Sequence, residues 1–283
     1  MTTRPAVAWA LMTTLLVATR AAEMRFNAGA VGGAVDQTAG AVLAGIASAA
    51  IHAGLIVWLA TRARITDPAR LLALVGVGLG FVVVNDLEAI VFSIAPAWPI
   101  VRLAAMGAVA NTVVAVAVAR LVPPSAEGGV VSSPFAEFSV AGVIARVMML
   151  GVIYAVIYFV AGGLIYPFVR DFYANKPIPP ASLLFVLQAT VRGPMFVAIG
   201  VLVITILRSS RMTHALAVAA TLSGLGGVTA LLPPNPLFPD QVRLVHLAEV
   251  GISNAVFGWL VGWILSPARR AAASLSSPVE GKA

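Results

Sequence analysis

Pro233-Pro234-Asn235-Pro236-Leu237-Phe238-Pro239-Asp240-Gln241-Val242-Arg243-Leu244-Val245-His246-Leu247-Ala248-Glu249 runs on through an apolar stretch to Trp263. A proline-stiffened turn delivers a cation, an imidazole and a carboxylate into a segment long enough to cross a bilayer. Polar groups at that depth require an internal partner or a water-filled cavity.

The rest of the chain reads the same way. Of its 283 residues, 60% are hydrophobic and only 10% charged, and the mean hydropathy is +0.99. A soluble globular domain carries about 25% charged residues. Here the charges sit in short islands between apolar runs of roughly 17 to 25 residues, the length that spans a hydrocarbon core of about 30 Å as a helix. Barrel strands would alternate polar and apolar residues; these runs are apolar all round. The class is therefore all-α, a polytopic transmembrane helical bundle. The net charge of +7 does not point to nucleic acid, because the basic residues lie at helix ends and not on one soluble face. Cysteine is absent, which excludes disulfides, thiolate catalysis and Cys-bound metal.

Eight spans are expected in a single integral membrane domain: 6–19, 38–61, 71–94, 100–119, 142–168, 181–207, 212–232 and 243–265. The first also has the basic start and short core of a secretory signal peptide, but Arg20 interrupts the cleavage site Thr19-Arg20-Ala21-Ala22, so a retained helix is the reading. Residues 20–37 read as a loop or interfacial segment, Pro194 as a kink in span six, and 266–283 as a disordered cytoplasmic tail. The polar stretch 123–139 divides the spans into two groups of four, with no convincing repeat between them. One side of the membrane collects Arg4, Arg62, Arg64, Arg70, Arg120, Arg208, Arg211, Arg269, Arg270 and Lys282. The other collects Arg20, Arg25, Arg170, Lys176 and Arg243. The excess of basic residues puts both termini in the cytoplasm.

That topology sets depth. Asn85, Asp86 and Glu88 on span three, Arg102 on span four, Gln188 and Arg192 on span six, and Arg243, His246 and Glu249 on span eight all fall in the non-cytoplasmic half. Each charge at mid-bilayer costs at least about 2.5–3.5 kcal/mol on insertion scales, so mutual pairing in one polar cluster is expected. At about 100° per residue, Arg243, His246, Glu249 and Ser253 form one stripe, Gln188 and Arg192 share a face, and Asp86 points away from Glu88. The ligand- or ion-binding set is therefore Glu88, Asn85, Gln188, Arg192, Arg243, His246 and Glu249.

Three chemistries fit the set. It can bind or pass a small polar ligand, an ion or a proton. It can supply His246, Glu249 and Glu88 as ligands of a metal-dependent hydrolase. It can also do no more than bridge helices as buried ion pairs, as in a structural subunit of a membrane complex. No serine-hydrolase, Walker A or dinucleotide-binding motif occurs, and no cofactor is implied. Gly76-x-x-x-Gly80 and Gly258-x-x-x-Gly262 have the small-residue helix-packing spacing, in one chain or across a homodimer. The tyrosines of span five, Tyr154, Tyr158 and Tyr166, read as packing and interface residues.

Asn85-Asp86-Leu87-Glu88-Ala89-Ile90-Val91-Phe92, Tyr158-Phe159-Val160-Ala161-Gly162, Val169-Arg170-Asp171-Phe172-Tyr173, Gln188 with Val191-Arg192-Gly193, and Asn235-Pro236 to Asn254 together resemble a family of bacterial polytopic inner-membrane proteins of unknown function. The resemblance implies a bacterial inner membrane as location and transfers no activity. The paired-glutamate motif of the intramembrane CAAX-type proteases is missing.

Overall fold

The computed structural model describes residues 3–31, 38–65, 67–93, 97–123, 135, 138–207, 209–234 and 238–266, without the side chains of 3, 20 and 23–31. Among them lie eight helices: α1 (Thr3–Val31), α2 (Ala39–Arg62), α3 (Asp67–Val91), α4 (Ala97–Leu121), α5 (Val140–Tyr173), α6 (Ala181–Leu207), α7 (Arg211–Leu231) and α8 (Asp240–Leu265). No strand occurs among the described residues, and the all-α bundle stands. The expected tail beyond Ser266, most of the 123–139 connection, Arg208 and Asn235-Pro236-Leu237 lie outside the described residues.

Helices α2 to α8 are each long and apolar enough to cross a membrane; the apolar part of α1, Arg4–Thr19, is shorter. The surface agrees with a lipid solvent. Leu43, Leu72, Val109, Val140, Leu164 and Ile252 are all exposed, while His52, Arg70, Gln188, Arg192, His214 and Asn254 are buried. A water-soluble protein distributes these types the other way.

Two expected boundaries change. Residues 20–31 continue α1 as helix and do not form a loop. Span five runs on to Tyr173, past Pro167, because the first strong stop after Phe168 is the Asn175-Lys176-Pro177 turn.

Local chemistry explains where the helices begin. Thr38, Ser139 and Ser210 each precede a helix, and each side-chain oxygen accepts a backbone N–H from the first turn, of Ala41, Gly142 and Thr213. At the opposite end of the bundle from the proline-rich 233–239 turn, Arg70 is 1% exposed. It pairs with Asp67 at 2.8 Å and donates to Ala119 O at the end of α4 at 2.7 Å. It is a helix cap and not a loop charge.

Two helices widen into single π-turns. In α6 the turn is Gln188–Arg192, closed by the Gly193 N–H donating to Gln188 O. Pro194 follows directly; it has no N–H, and its ring crowds the carbonyl four residues back, so the helix takes an extra residue per turn at the position where a kink is expected. In α7 the turn is Gly224–Val228, on the small-residue run of the sequence. Here Ser223 Oγ donates to Gly251 O at 2.7 Å and Asn254 Nδ2 to Leu222 O at 3.3 Å, which ties α7 to α8.

The glycine pairs act within the chain. A methyl at Gly76 would lie 2.8 Å from Leu202 and one at Gly80 2.7 Å from Ile199, both on α6. A methyl at Gly258 would lie 2.8 Å from Ala219 Cα and one at Gly262 2.6 Å from Ala215 Cα, both on α7. These spacings let α3 approach α6 and let α8 approach α7.

Candidate functional site: a cavity where α3, α5 and α8 meet

The ends of α3 and α5 and the start of α8 diverge around a cavity of about 460 Å³. Asn85, Asp86, Glu88 and Phe92 line it from α3, Tyr158 and Tyr173 from α5, and His246 and Glu249 from α8. This is the end of the bundle that carries the proline-rich turn, and Phe238 of that turn also faces the cavity.

Two polar chains enter this wall. In the first, Arg192 Nη2 is paired with Glu88 Oε2. Arg192 is 6% exposed at its side chain and Glu88 27%, so the guanidinium lies behind the wall and the carboxylate in it. The arginine is wrapped by rings: its Cζ lies 5.4 Å from the Phe196 centroid, 5.8 Å from Tyr154 and 6.0 Å from Tyr158. Cation–π attraction replaces part of the hydration that the charge has lost.

In the second chain, Tyr173 Oη lies 2.9 Å from His246 Nε2, and His246 Nδ1 lies 3.2 Å from Glu249 Oε2. With Glu249 ionised, Nδ1 carries the imidazole proton and Nε2 accepts from the tyrosine. A second proton on the ring makes both nitrogens donors. Tyr173 must then accept, and its own hydrogen turns away from His246. One proton thus reverses the polarity of a hydroxyl on the cavity wall. Tyr173 and Phe238 pack edge-to-face and tilted against the imidazole, with centroids 5.9 and 5.7 Å away.

The expected site residues divide. Glu88, Asn85, His246 and Glu249 share the cavity, and Arg192 reaches it through Glu88. Asp86 is on the wall as well, although its helical phase opposes Glu88, because the cavity wraps around the last turns of α3. Arg243 does not join. Its guanidinium takes Asp240 Oδ1 at 2.8 and 3.1 Å and the carbonyls of Leu231 and Leu232 at 2.8 and 2.7 Å. The start of α8 lies against the end of α7, whose last carbonyls attract the cation. Gln188 is buried in the π-turn, outside the cavity wall, and its Oε1 has no hydrogen-bond partner. Ser253 donates weakly to Val250 O, within its own helix.

The three-ligand metal set does not assemble. Glu88 is held by Arg192, and among the described residues no three of His, Asp and Glu come together as metal ligands would. His214 lies at the far end of the bundle, where Nδ1 meets Ser266 Oγ at 2.9 Å and Nε2 accepts from Ser209 N–H at 3.0 Å. It ties the start of α7 to the end of α8.

Sequence reasoning missed Tyr173 and the role of Tyr158. The signal available was the absence of a helix stop before Asn175, which puts Tyr173 on the same helix as Tyr158. No protein-family model, curated protein or solved structure matches the chain. The site is read from its own chemistry.

Proposed function

We propose that the protein binds or passes a small polar species, with proton binding coupled to it, through the cavity between α3, α5 and α8. The observation that carries this reading is that Glu88, His246 and Glu249, from two helices distant in sequence, line one cavity. A purely bridging role needs ion pairs and no cavity; here Glu249, His246 and Tyr173 form a chain that meets open space. Its volume lies within the roughly 300–1,000 Å³ of small-molecule sites. The location that fits the lysine and arginine asymmetry, and the family resemblance of the sequence, is a bacterial inner membrane, with both termini cytoplasmic and the cavity opening to the other side.

The proton is the smallest ligand such a site can take, and its uptake is the test. Purified protein, jumped from about pH 8 to about pH 5 in the presence of a soluble indicator, takes up protons that a folded His246→Ala variant does not. Equal uptake by the variant contradicts the reading. Loss of expression in His246→Ala, with wild-type uptake in Glu249→Gln, supports helix bridging instead.

A further inference from the structure

Charge disfavours two ligand classes in the cavity. Asp86, Glu88 and Glu249 line it, and among the described residues no arginine or lysine does, so an anion would meet carboxylates. None of the three is left over for a cation. Glu88 is paired with Arg192 from behind the wall, Glu249 is bonded to His246, and Asp86 is engaged as well. The class that remains is neutral. The rings of Phe92, Phe159 and Phe238 stand beside Tyr158 and Tyr173 on the wall and suit an apolar body.

Tyr173 supplies the polar contact that changes. While His246 is neutral, the hydroxyl hydrogen is held by Nε2, 2.9 Å away, and Tyr173 can offer the cavity only an acceptor. When the ring takes a second proton, Nδ1–H stays with Glu249 and Nε2–H points at the tyrosine oxygen. The tyrosine hydrogen is then available to an acceptor in the cavity. A carbonyl oxygen has no hydrogen of its own, so it gains this contact in the protonated state alone.

The charged and titratable groups around the imidazole are few. Glu249 on α8 and Tyr173 on α5 bond it, and Asp86 and Glu88, the latter with Arg192, lie on the α3 wall of the same cavity. Arg243, one turn earlier on α8, is turned to Asp240 and the carbonyls at the end of α7.

Resting on the cavity reading, we infer that the ligand is a neutral compound with a carbonyl acceptor and an apolar body, bound by the Tyr173 hydroxyl when His246 is protonated. Proton and ligand then favour each other by the same factor.

The test uses the full chain in a neutral maltoside detergent. It is dialysed against butyrophenone and against butylbenzene, the counterpart without oxygen, with protein-free micelles as the blank. The ketone binds about fivefold more tightly at about pH 5 than at about pH 8, the strength of one neutral hydrogen bond, and butylbenzene binds equally at both. His246→Ala leaves the Tyr173 hydrogen without its imidazole acceptor. That variant binds the ketone at about pH 8 as tightly as the wild type does at about pH 5. Adding Tyr173→Phe removes the gain. A role confined to holding helices together predicts no tighter binding in any variant. The comparison of ketone with hydrocarbon needs no variant and decides the matter if His246→Ala does not fold. Ketone binding that ignores pH in the wild type, or pH dependence that persists in folded His246→Ala, overturns the inference. If the wild type still takes up protons that the folded variant does not, only the ligand class falls. Without that uptake the cavity reading falls with it.

Discussion

Tyr173, the last residue of α5, holds its hydroxyl 2.9 Å from Nε2 of His246 in the second turn of α8, and so closes a chain that ends on Glu249. Replacing Tyr173 by Phe removes one neutral hydrogen bond, with a cost of about 1 kcal/mol. The chain has three histidines, so nitrogen-15 labelling of the imidazoles resolves the effect. The Nε2 signal of His246 moves in Tyr173→Phe, while those of His52 and His214 stay. An unmoved His246 signal contradicts the contact.

The pair of Glu88 and Arg192 is asymmetric, because the cation is the more buried partner. Glu88→Ala strands a guanidinium away from water and destabilises by about 3–5 kcal/mol. Arg192→Met leaves a carboxylate on the cavity wall that is already 27% exposed, and costs less. The double variant Glu88→Gln with Arg192→Met is more stable than Glu88→Ala alone. Thermal unfolding in detergent gives the order; equal and additive losses from the two single changes contradict it.

Arg243 is held by Asp240 and the end of α7, away from the cavity wall. Arg243→Ala frees the carbonyls of Leu231 and Leu232 and breaks the bond to Asp240. The loss is about 1.5–3 kcal/mol, the range for hydrogen bonds to a charged group. Proton uptake through His246 stays at its wild-type amplitude in the folded fraction. A selective loss of uptake at unchanged stability places Arg243 back in the site.

Glycines on α5 respond in opposite directions. A methyl on Gly151 would run into the carbonyl oxygen of Ala189 at the π-turn, and one on Gly193 would lie 2.8 Å from Gly151 Cα. Gly151→Ala therefore costs about 1–3 kcal/mol by overpacking. Gly162→Ala meets open space and removes a helix-interior glycine, a gain of roughly 0.5–1 kcal/mol. Unfolding midpoints that shift in the same direction for both contradict this packing.

Most of the bundle was legible because apolar length is a strong signal. The span expected at 181–207 and the helix Ala181–Leu207 coincide, and the others after the first differ by a few residues at their ends. Segment 20–31 was not legible, since its glycines and charges weaken the helix pattern without a stop signal inside it. Insertion cost alone brought Glu88, Arg192, His246 and Glu249 together. It could not separate Arg243 from them, because a carbonyl cap and a carboxylate partner satisfy a guanidinium equally well and both leave the same mark in the sequence. Tyr173 was hidden by its charged neighbours Arg170 and Asp171, which look like loop but continue the helix.

The absence of native cysteine makes one measurement direct. Single cysteines at Ala89 and Val250, on the cavity wall, and at Leu74 and Val77, in the buried core, are exposed in right-side-out vesicles to a membrane-impermeant thiol reagent. Reaction at Ala89→Cys and Val250→Cys, with none at Leu74→Cys and Val77→Cys, is the result expected of a water-filled cavity open to the non-cytoplasmic side. Four inert cysteines would contradict it and leave Glu88, His246 and Glu249 as braces in a closed bundle.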